Sequence, residues 1–118
     1  MRHRYDDGND GAPALWVELV VADEVCVLRM GGELGGTSLA ALEAQTEQLR
    51  SAPCRHVIVD VAGLAAVDGL GTDALVTLQA NVQARGGAMT VTGASGGVEM
   101  ALESTPLDLD VVGSVPPA

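Results

Sequence analysis

Residues 57–73 read Val57-Ile58-Val59-Asp60-Val61-Ala62-Gly63-Leu64-Ala65-Ala66-Val67-Asp68-Gly69-Leu70-Gly71-Thr72-Asp73. The stretch from Val57 to Val61 is a nearly unbroken apolar run. That is the pattern of a strand covered on both faces in the middle of an α/β sheet. Residues 62–71 read as a loop, and beyond it the period changes to that of a helix, with Ala74, Leu75, Leu78 and Val82 on one inner face. Arg85 falls in the last turn, where it favours the helix dipole, and Gly86-Gly87 stops the helix. Strand, loop and helix in this order make one crossover unit of a parallel sheet.

Toward the N-terminus, Leu15 to Val21 and Val25 to Met30 are short β-branched runs joined by an acidic turn at Asp23-Glu24. They predict a hairpin that ends at Gly31-Gly32. Leu39, Leu42, Thr46 and Leu49 then follow one helical stripe, with Thr37 or Ser38 available as its cap and Pro53 closing it. Residues 1–13 hold Asp6, Asp7, Gly8, Asn9, Asp10 and Gly11 and are expected to be a disordered acidic leader.

Toward the C-terminus, Met89 to Thr92 reads as a strand and Gly93 to Gly97 as a glycine-rich loop. Val98 to Glu103 reads as a short helix. Leu107 to Val112 alternates apolar and acidic residues, as an edge strand does. The order ββαβαβαβ predicts one mixed five-stranded sheet with helices packed on it. A single domain over residues 14–113 and a short tail over 114–118 follow.

The 118 residues include no Phe, and Trp16 and Tyr5 are the aromatic side chains, so the core must be aliphatic. Six Arg, no Lys and sixteen acids give a formal charge of −10. No basic patch able to neutralise phosphates can be assembled, which argues against nucleic acid and against anionic membrane surfaces. An acidic surface does steer toward a basic patch on a partner. The lack of Lys beside abundant Ala, Gly and Val suggests a bacterial genome rich in GC. No apolar run approaches membrane-spanning length, and the polar first residues form no signal sequence. A cytoplasmic domain would keep Cys26 and Cys54 as thiols. Cys54 and His56 form a Cys-x-His pair, but no second pair completes a zinc site.

Other motifs that suggest chemistry are weak. Thr92-Gly93-Ala94-Ser95-Gly96-Gly97 resembles a nucleotide-binding glycine loop, yet Glu99 stands where the third glycine belongs. Gly69-Leu70-Gly71-Thr72-Asp73-Ala74 matches a loose G-x-G-x-x-A, but a long loop separates it from the strand. His3 and His56 give no Ser/His/Asp arrangement. Asp60 and Asp68 flank one loop and could pair as carboxylates, although capping and loop hydrogen bonds suit them better. No enzyme, metal or cofactor is expected.

Taken in order, these pieces resemble a STAS domain of the anti-sigma-factor antagonist type. The resemblance rests on Gly32-Glu33-Leu34, on Val57 to Leu64, on Val67-Asp68 with Gly71, on Arg85-Gly86-Gly87, on Thr92 to Ser95, and on Leu102-Glu103 with Pro106-Leu107. It implies partner switching: such a protein binds an anti-sigma factor that is also a kinase, and phosphorylation of a Ser after the third strand ends the complex. Asp68 and Gly71 match the motif around that Ser, but Gly69 occupies the phosphoacceptor position and Leu70 follows. Gly35 likewise stands where family members commonly carry Asp.

By this resemblance the partner-binding residues are Glu33, Leu34, Gly35, Thr37, Ser38, Asp68, Gly69, Leu70, Gly71 and Thr72. Asp68 is expected on the loop, and the Thr72 hydroxyl is expected to cap the second helix. The partner would be an anti-sigma factor or a related histidine-kinase-like protein, and the chain itself a monomer or weak dimer. A STAS subunit of a lipid-transport or sensor complex, and a small-ligand-binding or degenerate paralogue, are the other readings.

Overall fold

A computed structural model describes residues 2–7, 15–36, 38–52 and 54–110. The elements are β1 (Arg2–Asp7), β2 (Leu15–Ala22), β3 (Val25–Leu34), α1 (Leu39–Arg50), β4 (His56–Val67), α2 (Gly69–Ala84), β5 (Ala88–Thr92), α3 (Gly96–Glu103) and β6 (Leu109–Asp110). The strands form one sheet in the order β1-β2-β3-β4-β5-β6. β1, β2 and β3 are antiparallel to their neighbours in turn, and β3, β4, β5 and β6 run parallel.

The mixed sheet agrees with the expected fold, but it has six strands where five were expected. The additional strand is β1, which lies in the segment expected to be disordered. Its residues are polar, so no hydrophobic alternation announces it. What recruits it is β2, whose outer backbone edge would otherwise present unpaired N–H and C=O groups. Arg2 pairs with Val20, and Asp7 with Leu15. The remainder of the leader, Pro53 and the segment 111–118 lie outside the described residues.

The parallel crossovers through α1, α2 and α3 all advance across the sheet in one direction. Right-handed connections then set the helices on one face. Side-chain burial follows this rule. Leu15, Val17 and Leu19, then Cys26, Leu28 and Met30, then Val57, Val59 and Val61, and finally Met89 and Val91 are all buried. Ala41, Leu42 and Leu49 of α1 and Leu75, Leu78 and Val82 of α2 complete that core. The expectation that Val57 to Val61 is covered on both faces is therefore corrected: Ile58 and Asp60 are only partly buried. On this open face Arg29 forms ion pairs with Glu18 at 3.8 Å and with Asp60 at 3.7 Å.

The two central strands are longer than their apolar runs. β3 continues through Gly31-Gly32 to Leu34, and β4 through Ala62 to Val67, where a hairpin end and a loop were expected. Each extension is the other's partner: Gly31 pairs with Gly63, Gly32 with Leu64 and Leu34 with Val67, with register shifts between. β5 reaches only to Thr92, opposite Asp60, and β2 begins at Leu15, opposite Gly32, so Glu33-Leu34 and Ala66-Val67 project past both neighbours as the tip of a two-stranded ribbon. Trp16 of β2 lies over the ribbon's base. A Cβ on Gly31 would overlap the indole, and one on Gly63 would stand 3.4 Å from it. Two facing glycines thus form a flat seat for the ring.

Cys26 and Cys54, expected as free thiols, are joined by a disulfide. The hairpin places Cys26 at the start of β3, and the segment leaving α1 passes beside it, with the two Cα atoms 5.6 Å apart. That spacing lies inside the range a disulfide spans.

Candidate functional site

The ribbon carries two turns to the carboxyl-terminal edge of the parallel strands, the usual functional edge of α/β sheets. One turn leaves β3 at Leu34 and enters α1. The other leaves β4 at Val67 and enters α2 through Asp68. The sequence placed Asp68 on a loop and favoured capping and loop hydrogen bonds for it, and the structure shows both. Asp68 is the N-cap of α2: its Oδ1 accepts from the Gly71 N–H at 2.8 Å, and its Oδ2 from the Gly36 N–H at 3.2 Å. Its own N–H donates to the Leu34 carbonyl at 3.0 Å. One side chain thus caps a helix and ties two turns together that stand 32 residues apart.

The first turn is shaped by this carboxylate. A Cβ on Gly35 would lie 2.6 Å from Asp68 Oδ2, so a larger side chain there would push the carboxylate off the Gly36 N–H. Gly36 is similarly covered, with Leu70 Cδ1 2.6 Å from where its Cβ would be. The sequence reading missed the bond from Gly36 to Asp68. The Gly35-Gly36 pair was legible only as a turn, and its partner Asp68 lies too far along the chain to be read with it.

The Ser38 hydroxyl faces inward. Ser38 occupies the N-cap position of α1 without capping it through its side chain. Its hydroxyl donates to the Glu33 carbonyl at 2.8 Å and accepts from the Gly35 N–H at 3.1 Å. Ser38 is 1% exposed. Thr72, expected to cap α2, lies one turn inside it and donates to the Asp68 carbonyl at 2.9 Å. Thr37 lies outside the described residues. Leu34 and Gly71 are buried beneath the turns, and Gly35 is partly buried. Glu33, Gly36, Asp68, Gly69 and Leu70 form an exposed rim. Leu70 is 59% exposed; among the described residues Met100 is the more exposed large apolar side chain, at 73%. A depression of about 230 Å³ lined by Glu33, Ala66 and Asp68, among others, opens beside it.

Asp68 and Asp60 do not form a catalytic carboxylate pair, because each is held by other groups. Asp60 accepts from the Ala62 N–H at 2.9 Å and pairs with Arg29. Among the described residues no group of His, Cys, Asp or Glu gathers as a metal site. The glycine loop of residues 93–97 packs on β4, and a Cβ on Gly93 would stand 2.9 Å from both Ala62 Cβ and Asp60 Oδ1. This close approach is a structural use for a glycine that the nucleotide motif had assigned to phosphate.

The hydrogen bond from Gly71, then that from Gly36, holds the Asp68 carboxyl below the usual carboxylate range, against a smaller opposing effect of desolvation. A carboxyl whose pKa is depressed on folding stabilises the fold above its unfolded value of about 3.9. That contribution is lost as pH falls through the lower folded value. Loss of this cap in Asp68→Ala should lower Tm by several degrees at pH 7. The gap should narrow as the pH drops below about 4, measured as Tm against pH. An equal gap at every pH would show that the carboxylate charge plays no part.

A profile described as the STAS domain matches residues 17–115. No curated protein matches the sequence significantly. Several solved structures share the fold. The anti-sigma factor antagonist SpoIIAA in its unphosphorylated form superposes with a TM-score of 0.64 at 18% identity, over 82% of this chain and 90% of that one. An RsbS variant from Moorella thermoacetica gives 0.67 at 16% identity, over 80% and 86%. SLC26A9 gives 0.56 at 17% identity, over 69% of this chain and 16% of that much longer one.

Proposed function

This chain belongs to the STAS domain family, and from that premise we propose that it is a protein-binding regulatory module that docks through the rim around Leu70 onto an anti-sigma factor of the kinase type. The observation that carries the reading is the exposed Leu70 on the first turn of α2, flanked by Asp68 and by the bare Gly69. Apolar surface held at a helix start by a rigid cap costs little to order on binding. The acids around it, Glu33 and Asp68, favour a basic partner patch.

The wild-type module is permanently competent to bind. Gly69 carries no acceptor oxygen, Ser38 is buried, and the Thr72 hydroxyl is engaged with the backbone. Control then falls to abundance or to the partner.

Affinity capture from the native host, read by mass spectrometry, tests the partner class. A kinase-fold protein supports the reading; a transporter ATPase or a large sensor protein would replace it with the alternative STAS roles. With the captured partner in hand, Leu70→Glu should weaken binding about ten-fold or more while leaving Tm nearly unchanged. Unchanged affinity would remove the rim from the interface.

A further inference from the structure

At the end of the sheet opposite the rim, the disulfide between Cys26 and Cys54 fastens the start of β3 to the segment between α1 and β4. The two sulfurs differ in access. Cys26 is fully buried in the core row beside Val57. Cys54 is partly buried and lines an open cavity of about 410 Å³ together with Glu24, Ala52, Arg55 and Arg85. Small solutes therefore have a path to Cys54 and none to Cys26. Two arginines and one acid, Arg55, Arg85 and Glu24, line this cavity with Cys54. Arg55 pairs with Glu24 at 3.5 Å, and Arg85 donates to the Arg50 carbonyl at 3.4 Å. Positive charge beside a reduced cysteine favours its thiolate, the form that reacts.

We propose that Cys54 and Cys26 are a peroxide-responsive thiol pair, Cys54 attacking and Cys26 resolving. The structure shows its oxidised state. In the reduced state the Cys54 thiolate attacks one oxygen of a small peroxide such as hydrogen peroxide. An S–O bond forms and the O–O bond breaks. The leaving hydroxide takes up the proton that Cys54 had released and departs as water. The Cys26 sulfur then attacks the sulfenic sulfur of Cys54. The S–S bond forms, the S–O bond breaks, and the hydroxyl leaves as a second water with the Cys26 proton. The two thiols supply the two electrons that reduce the peroxide. A small thiol returns the pair to its reduced state by exchange at the exposed sulfur. This inference is independent of the partner-binding reading, because it concerns the other end of the sheet.

The test uses the full chain, reduced and then freed of reductant. Hydrogen peroxide in slight excess should remove the mass of two hydrogens, protect both cysteines from alkylation and raise Tm by ~10 °C. Arg55→Gln with Arg85→Gln should slow this oxidation about ten-fold, since both cysteines remain but the cations do not. In Cys26→Ala, a dione reagent should trap a sulfenic acid on Cys54. In Cys54→Ala, Cys26 should stay unlabelled over the same time. An unchanged rate in the arginine double variant would overturn the proposal. So would peroxide yielding only dimers linked between molecules, or sulfenic acid on Cys26. The rate comparison stands even if a cysteine variant fails to fold.

Discussion

Gly71→Ala should lower the free energy of unfolding by about 3 kcal/mol in urea denaturation, with Gly69→Ala as the contrasting control. The two glycines stand two residues apart in the first turn of α2, yet their surroundings differ completely. A Cβ on Gly71 would overlap the Leu34 carbonyl oxygen and stand 2.9 Å from both the Leu34 carbonyl carbon and Cγ. Backbone cannot swing aside as a side chain can. Relief would require α2 to withdraw from β3, which breaks the bond from the Asp68 N–H to that same carbonyl. It would also pull the Gly71 N–H from the Asp68 carboxylate. Around Gly69 nothing lies within 4 Å of the added atom. Gly69→Ala should therefore change stability by less than about 1 kcal/mol, toward the stable side, through the reduced entropy of the unfolded chain. A Gly71→Ala protein as stable as the wild type would mean that the turn yields freely. The glycine shared with the family motif would then need another explanation.

Gly69→Ser should take up one phosphate from ATP in the presence of a kinase-type partner, while the wild type takes up none, as read by intact mass. The open space at Gly69 accepts a serine side chain without displacement, on the exposed first residue of α2. A phosphate there brings about −1.5 to −2 charges to the rim proposed as the docking surface. Binding by the phosphorylated variant should fall about ten-fold or more. Phosphate on the wild type at Thr72 would show that the acceptor has moved along the helix. If neither protein is modified, the kinase partnership fails, and a transport or sensor role replaces it.

The strong hydrophobic periods were legible in the sequence, and they fixed the fold class. The Val57 to Val61 run, the hairpin and the stripes of α1, α2 and α3 all fall where their spacing puts them. What escaped were elements that depend on a neighbour. β1 has no apolar alternation and exists because β2 offers an edge. The extensions of β3 and β4 are built largely from Gly31, Gly32, Gly63 and alanines, poor strand formers that become strands only against neighbouring strands. The open face of β4 follows from strand order, which no local window contains. At the site, Asp68, Gly69 and Gly71 were found by motif. The inward turn of the Ser38 hydroxyl and the bond from Gly36 to Asp68 depend on tertiary contacts between distant turns.

The indole of Trp16 on its seat of two glycines also makes the protein its own optical probe. No other tryptophan occurs in the chain, so emission excited at the red edge of protein absorption comes from this ring alone. Trp16 bridges β2 to the base of the ribbon whose far end forms the rim. Any event that lifts or presses the ribbon changes the polarity around the indole and shifts the colour of its emission. Binding at the rim and separation of β2 from β3 can therefore be followed in real time, without a dye or a tag.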